Sequence, residues 1–600
     1  MVSAPAIIVL GPSGLSAAEK VAFLVEGKIH GLAKRVDGTD VPFENTLAHL
    51  QSLFAAGQPI IGVCAAGILI RALGPLASDK TAEPPVLAVS EDGASIVPLL
   101  GGHHGANDLA REIAAGLNGH AAITTAGDVS FGLALDAPPA GWTLANPEAA
   151  KPFMAALLAG QSTKLTGDAP WLQNSDVPLA PDASLEILVT EQVSQAQEGQ
   201  LIYHPRSLAL GVGCERGCSS EELIEHVDAT LQHYKLAAAS IACVTSIDVK
   251  ADETAVHAVA AHLGVPARFF SADALNAEAP RLANPSDIVL AEVGCPGVAE
   301  GAALAMAGED AVLMVEKSKS KRATCAVAKA PDVITPAERG RKRGHLSVVG
   351  LGPGAPDWRS PEASRLLRQA SDWVGYGLYL DLAADLDAGK ELHRFDLGAE
   401  ELRVRAALEL AAQGKDVALV CSGDAGIYAM ATLVFEVMAE HADPAVRRVA
   451  VTVAPGISAF QAAAAKAGAP IGHDFCTISL SDLLTPWEII EQRLHAAAEG
   501  DFVVAFYNPK SMRRTDQIVR AMAILGQHRP PSTPVIIASS LGRPEEHVRV
   551  RTLAEFDSGE VDMLTLVMVG SSETRTLQTG DGATWTYTPR GYAKKREAAE

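Results

Sequence analysis

Short apolar runs recur along this chain. Each is closed by a glycine, a proline or a small polar residue, and apolar positions at helical spacing follow. The first is AIIVL at 6–10, which stops at Gly11-Pro12-Ser13-Gly14. PIIGVC at 59–64 and VLAVS at 86–90 repeat the pattern, with helical stretches such as 107–116 among them. Runs that are apolar throughout belong to strands buried on both faces, and their alternation with helices predicts a mostly parallel α/β sheet. A second block shows strand-like runs at 208–213, 241–245, 288–292 and 312–315. A third shows them at 345–349, 417–421, 451–454, 502–506, 535–538 and 564–569.

The pattern fails in two places. From 137 to 205 the sequence is rich in Pro, Gln, Ser and Asn without a clear period, which predicts an irregular middle domain or connector. From 331 to 344, prolines, glycines and four basic residues predict a linker. The expected architecture is therefore α/β and multidomain. An α/β domain at 1–136, the middle at 137–205 and a second α/β domain at 206–330 precede the linker. A larger α/β block at 345–588 and a charged tail at 589–600 follow it.

Composition changes this picture little. At 600 residues, 48% hydrophobic and 20% charged, the chain has the make-up of a water-soluble globular protein of several domains. No run reaches the roughly 18 apolar residues of a membrane span, and the start MVSAPAIIVLGPSG lacks a basic signal region. Eight cysteines are too few for a disulfide framework, so a reducing cytoplasm is the expected location. Charge says more. The chain has 49 Lys and Arg against 71 Asp and Glu, and this net −22 argues against a nucleic-acid or anionic-membrane partner. The balance is uneven: residues 1–315 hold 15 basic and 35 acidic residues, whereas a basic stretch at 316–355 lies across the expected linker.

The third block carries five motifs, the first three at or just past strand ends. They are Gly350-Leu351-Gly352-Pro353-Gly354, Cys421-Ser422-Gly423-Asp424-Ala425-Gly426-Ile427-Tyr428 and Ala454-Pro455-Gly456-Ile457-Ser458-Ala459. Gly472-His473-Asp474-Phe475-Cys476 follows, then Tyr507-Asn508-Pro509-Lys510-Ser511 with Arg513 and Arg514 behind it. Glycines at strand ends let backbone approach a ligand closely. The first motif is neither the dinucleotide fingerprint nor a P-loop. Asp424 either accepts from a bound ribose or amino group or caps the next helix. Lys510, Arg513 and Arg514 either pair with substrate carboxylates or form a solvated helix start.

In order and spacing these motifs resemble the tetrapyrrole methyltransferases that use S-adenosylmethionine. GHDFC…SLSDLLTPW at 472–487 and YNPKSMRR at 507–514 resemble the branch that methylates precorrin-3B at carbon 17. The resemblance spans about 344–588. It implies two subdomains, about 345–465 and 466–588, with the active cleft between them, and a homodimer. It implies cofactor contacts at Pro353, Ser422, Gly423, Asp424, Ile427, Ser458, Ala459, Asn508 and Leu541, and a substrate contact at Gly352. The implied reaction is methylation followed by contraction of the macrocycle, with His473 and Asp474 as candidate bases for a hydroxyl proton. Methylation at another ring position, such as carbon 11, is the alternative within the family.

The front half carries its own patches. Leu100-Gly101-Gly102-His103-His104-Gly105-Ala106-Asn107 opens a helix, where anions are favoured. Cys214 and Cys218 form C-x₃-C without a second pair, and adjacent histidines point in different directions, so no metal is expected. Arg216, Lys250 and Glu300 either bind a carboxylated substrate or form ordinary ion pairs. In order, these patches resemble the cobalamin-biosynthesis hydrolase that opens the lactone of cobalt-precorrin-5A and releases acetaldehyde. The resemblance covers about 1–330, and the family's usual SGH-x-GGAN reads GGHHGAN here. It implies His103 or His104 as the first base to consider, with Lys250 and Glu300 next. The alternative is a non-catalytic module that holds a labile precorrin and hands it to other corrin-pathway enzymes. The hydrolase belongs to a route where cobalt enters early and precorrin-3B to one where it enters late, so the metal state of the substrate stays open.

Overall fold

The computed structural model describes residues 4–78, 83–387, 389–511 and 514–592, and the side chains of His103 and Ala126 lie outside that description. The all-apolar runs become fully buried strands. Ala6–Val9, Ile60–Val63 and Val86–Val89 are buried at every position. They lie centrally in a seven-stranded sheet, flanked by Val41–Phe43 and Lys28–Leu32 on one side and by Ser95–Leu100 and His120–Ala121 on the other. Its one antiparallel pairing joins Val86–Val89 to Ser95–Leu100.

The stretch expected to be irregular folds into a four-stranded sheet ordered Trp142–Leu144, Gln200–Pro205, Leu185–Val189, Thr163–Thr166. Phe131, Phe153, Leu172, Ile187 and Tyr203 form its buried core. These strands are short and separated by long polar turns, so their period is too brief to read, and large side chains supply the burial instead.

The third sheet is ordered Ala267–Phe270, Ile241–Ile247, Leu208–Cys214, Ala323–Lys329, Val312–Lys319. Helix Val298–Ala307 packs on Leu208–Cys214 so closely that a Cβ at Gly211 would stand 1.8 Å from the Ala299 carbonyl oxygen. Residues 288–292, expected as a strand, lie within helix Asp287–Val293. Ser286 caps that helix by accepting from the Val289 N–H, and Gly294 ends it at φ 79°. None of its residues is buried, so Ile288 and Val289 have no sheet to join and the local caps decide.

Nor is 331–344 a free linker. Ile334 is buried with its N–H on the Arg206 carbonyl, and Arg341 pairs with Phe269 in an isolated antiparallel bridge. Lys342 pairs with Asp416, and Arg343 Nε donates to the Arg448 carbonyl at 2.8 Å. The basic residues thus tie the third sheet to the next one.

That next sheet is wholly parallel, ordered Glu391–Phe395, Asp372–Tyr376, Asp416–Cys421, His345–Gly350, Ala450–Ala454. A mixed sheet follows, ordered Phe475–Ser479, Val503–Tyr507, Thr565–Val569, Pro534–Ser539, His547–Thr552. The crossover between the two is pinned by Gly468–Ala469, which pairs with the late strand Thr584–Tyr587. Among the described residues no single helix is long and apolar enough to cross a membrane.

The contact at Gly211 yields a test. Gly211→Ala forces helix Val298–Ala307 away from its strand and costs about 1–3 kcal/mol. Calorimetric unfolding of the intact chain checks this, and an unshifted transition would contradict the contact.

Candidate active site

Three loops leave the carboxyl ends of the adjacent strands His345–Gly350, Asp416–Cys421 and Ala450–Ala454. Gly352 N–H donates to the Gly423 carbonyl at 3.1 Å, and Gly423 N–H returns a bond to the Gly352 carbonyl at 2.8 Å. A Cβ at Gly456 would stand 2.1 Å from the Gly423 oxygen, and one at Gly350 2.7 Å from it. Only glycine permits this backbone-to-backbone packing. Asp424 locks it: Oδ1 accepts from Gly426 N–H at 2.8 Å and Oδ2 from Gly456 N–H at 3.0 Å. Asp424 is therefore not a helix cap. The next helix, Met430–Glu440, starts later and is preceded by Ala429.

A cavity of about 400 Å³ opens between these loops and the strand ends of the mixed sheet. Pro353, Ser422, Gly423, Asp424 and Ile427 line it from the first side, and Ala459, Asn508 and Leu541 from the second. Ser458 is 1% exposed and caps helix Ala459–Ala467 through a reciprocal box with Gln461, so it supports the wall from behind. Gly352 contributes through its bridge to Gly423.

Tyr428 and Ser540 had no role assigned from sequence, and with the expected contact Asn508 they share one backbone feature. Tyr428, Asn508 and Ser540 all line the cavity and all adopt left-handed backbone, at φ 51°, 49° and 52°. Non-glycine residues held there cost free energy and tend to gather at functional sites. Tyr428 Oη donates to the Thr477 carbonyl at 2.9 Å, so it spans the two halves of the cleft, and its ring lies 5.1 Å from that of Tyr507. Burial raises the Tyr507 phenol above its ordinary value, partly offset by the Phe460 N–H it accepts. Tyr428 and Tyr507 stood within the quoted motifs. Tyr379, Arg403 and Arg543 carry no motif signal and reach the cavity only through the fold.

Other expected residues lie elsewhere. The side chains of His473 and Asp474 are 53% and 78% exposed, in the loop before strand Phe475–Ser479. The far end of that strand, Ser479, meets Asn508 of the cavity wall. Neither His473 nor Asp474 is among the described residues that line the cavity. Lys510 Nζ donates to the Ser558 carbonyl at 2.9 Å. Arg514 donates to Ser481 Oγ and the Asn508 carbonyl and is 8% exposed, so it braces loops. Arg513 lies outside the described residues.

In the front half the candidates do not converge. His104 is exposed, and the His103 side chain is outside the description. Lys250 Nζ lies 3.2 Å from Glu253 Oε2. Buried Glu253 also accepts from Gly217 N–H and lies 3.5 Å from Arg216, so it organises this corner. Beside it burial pushes the Cys214 thiol up to about 11. Glu300 is 1% exposed and belongs to a different set. Its carboxylate accepts N–H groups of Lys317, Ala283 and Asn284 and the Asn284 amide. Burial alone would raise its pKa, but these bonds hold it below the ordinary value. Its acceptor positions are filled, which describes an anchor for the 283–284 turn and not a free base.

Comparison with known proteins places these features. The description Tetrapyrrole (Corrin/Porphyrin) Methylases matches residues 345–557. The probable cobalt-factor III C(17)-methyltransferase of Salmonella typhimurium is 44% identical over 247 residues, 41% of this chain and 99% of that one. This chain belongs to the tetrapyrrole methylases. The precorrin-3B C(17)-methyltransferase of a Sinorhizobium species is 42% identical, over 42% of this methylase and 98% of its relative. The cobalt-factor III methyltransferase of Priestia megaterium is 44% identical over 42% of this chain and 46% of the other. The cobalamin biosynthesis protein CobIJ of Mycobacterium tuberculosis is 44% identical over 43% and 51%, so the chain spans about half the length of these larger relatives. In the front half, Cobalamin synthesis G N-terminal matches 48–128 and Cobalamin synthesis G C-terminus matches 208–328. The solved methyltransferase CobJ is 43% identical over 41% of this chain and all of its own, with a TM-score of 0.39.

Two tests follow from the geometry of this methylase. Asp424→Ala leaves the Gly426 and Gly456 N–H groups unpaired, and hydrogen exchange in 421–429 and 455–458 should quicken by about 1–3 kcal/mol of local opening. Unchanged exchange there would refute the lock. Glu300→Ala strands buried donors at a cost of roughly 2–4 kcal/mol. Limited proteolysis of the intact chain should then cut within 282–297, and wild-type resistance would remove Glu300 as the anchor.

Proposed function

We propose that the back half transfers a methyl group from S-adenosylmethionine to carbon 17 of a precorrin-3B-type tetrapyrrole, with contraction of the macrocycle to the precorrin-4 level. One observation carries the reading: the cavity lies at the carboxyl ends of parallel strands and its wall at Gly423 is bare backbone. Its volume of about 400 Å³ falls within the usual range of small-molecule sites. The cofactor, when bound, supplies a methyl on a sulfonium, already activated for displacement. The chain's share is then positioning. Pro353, Ser422, Gly423, Asp424, Ile427, Ala459, Asn508 and Leu541 would hold it, with Ser458 behind them. Asp424 keeps the glycine loops apposed through its two N–H contacts, and Tyr428 keeps the opposite walls together. Glu400, a carboxylate in the lining, would take the hydroxyl proton, with His473 and Asp474, which lie outside that lining, as the other candidates. Relatives named for carbon 17 support that ring position, and their two named substrates, cobalt-factor III and precorrin-3B, both enter the test.

For the front half the match to cobalamin synthesis G regions supports lactone opening with release of acetaldehyde. A specific observation favours the second reading, a module that holds a precorrin and hands it on. Glu300 has its acceptor positions filled and Lys250 is paired to Glu253, so neither is free to move a proton.

Incubation of the intact protein with S-adenosylmethionine and either precorrin-3B or cobalt-factor III should give a product with one added methyl by mass spectrometry. Failure with both would sink the methyltransferase reading. Given cobalt-precorrin-5A, the intact chain should release acetaldehyde if the front half is a hydrolase. Its absence, with the substrate still retained by the protein, selects handover.

A further inference from the structure

Two arginines line the cavity, and among the described residues neither forms an ion pair. Arg403, in the first turn of helix Glu400–Ala412, is 3% exposed and its Nε has no hydrogen-bond partner. Its Nη2 donates to the Asp396 carbonyl at 3.0 Å, an uncharged acceptor. Arg543, in the turn after strand Pro534–Ser539, likewise has a buried Nε without a partner. Both side chains line the cavity, one from each subdomain. Tyr379 lines it too, and the positive charges of Arg543 and Arg403 both act on its phenol against the upward push of burial. The three groups therefore share one corner.

The negative groups on the wall do not neutralise that corner. Asp424 accepts two backbone N–H groups, and Glu400 accepts the Gly398 N–H at 3.1 Å. Among the described residues neither carboxylate forms an ion pair with either arginine. Of the cations singled out from sequence, Lys510 is committed to Ser558 and Arg514 to Ser481 and Asn508, and Arg513 lies outside the described residues. A buried guanidinium is stable only when its charge is met, and its planar fork matches a carboxylate in two-point contact.

We infer that Arg403 and Arg543, with the Tyr379 hydroxyl, form a subsite for a carboxylate of the ligand bound in the cleft. The inference rests on the methyltransferase reading for the identity of that ligand. Two sources share the chemistry: an acidic side chain of the tetrapyrrole and the amino-acid carboxylate of the cofactor. Because the two arginines come from different subdomains, the same contact draws the cleft walls together when the ligand binds.

The test uses the full chain with Arg403→Gln and Arg543→Gln, and the corresponding Lys variants as charge-retaining controls. Calorimetry with S-adenosylhomocysteine reads the cofactor arm. Fluorescence quenching with uroporphyrin, set against its methyl ester, reads the tetrapyrrole arm. Each Gln variant should weaken one arm about ten- to hundredfold, the range of a charge-assisted hydrogen bond, with partial recovery in Lys. The arm that weakens names the source. Unchanged affinity in both arms, with wild-type binding intact, would overturn the subsite and leave the methyltransferase reading standing. A wild-type chain that binds neither probe would overturn both. Loss of both arms together with a lowered unfolding temperature in the Lys variants would assign the arginines to folding and also overturn it.

Discussion

Everything in the cleft depends on backbone meeting backbone at Gly350, Gly423 and Gly456. The loops that leave these strand ends pack backbone on backbone, which leaves no room for a side chain where they cross. Here a single added carbon at Gly456 would sit 2.1 Å from the Gly423 oxygen. Because no such carbon is present, Asp424 reaches the neighbouring loop at Gly456, and the cavity keeps a wall of peptide groups. The opposite subdomain obeys the same rule. A Cβ at Gly542 would come within 2.8 Å of the Ala355 nitrogen, so the turn carrying Arg543 abuts the first glycine loop.

The charge distribution acquires a local meaning. A chain of net −22 is a poor host for a polyanion as a whole, yet the field inside a cleft is set by the few groups that face it. Arg403 and Arg543 face inward unpaired, while Asp424 and Glu400 spend acceptor capacity on backbone N–H groups. The basic stretch across 316–355 serves a different purpose. Lys317 closes the Glu300 anchor, and Lys342 and Arg343 bind the parallel sheet of the back half. What composition presents as a linker is a riveted joint.

The front half shows how one residue type serves different ends. Glu253 and Glu300 are both buried carboxylates in the same domain. Glu253 balances Lys250 and Arg216, whereas Glu300 satisfies the donors of a turn. Only the partners separate these cases: Glu253 pairs with Lys250 three residues away and with distant Arg216, whereas Glu300 accepts from residues 16 and 17 positions distant on both sides.

Sequence by itself determined the buried strands, the helices between them and the glycine loops at their ends, because burial on both faces demands unbroken apolar runs and tight turns demand glycine. The resemblance of its motifs to the methyltransferases also grouped Ser422 to Asp424, Ala459, Asn508 and Leu541, which the structure brings to one cavity. Tertiary structure decided the rest. Residues 288–292 have strand-forming side chains but no sheet beside them, and so the caps at Ser286 and Gly294 made a helix. The middle sheet is held by contacts among Phe131, Phe153 and Tyr203, too distant in sequence to show a period. His473 and Asp474 lie in an exposed loop before strand Phe475–Ser479 and outside the cavity lining, because the packed cleft decides which residues of that segment face it. Arg403 and Arg543 look like any surface arginine until two subdomains close around them and remove the water that would otherwise meet their charge.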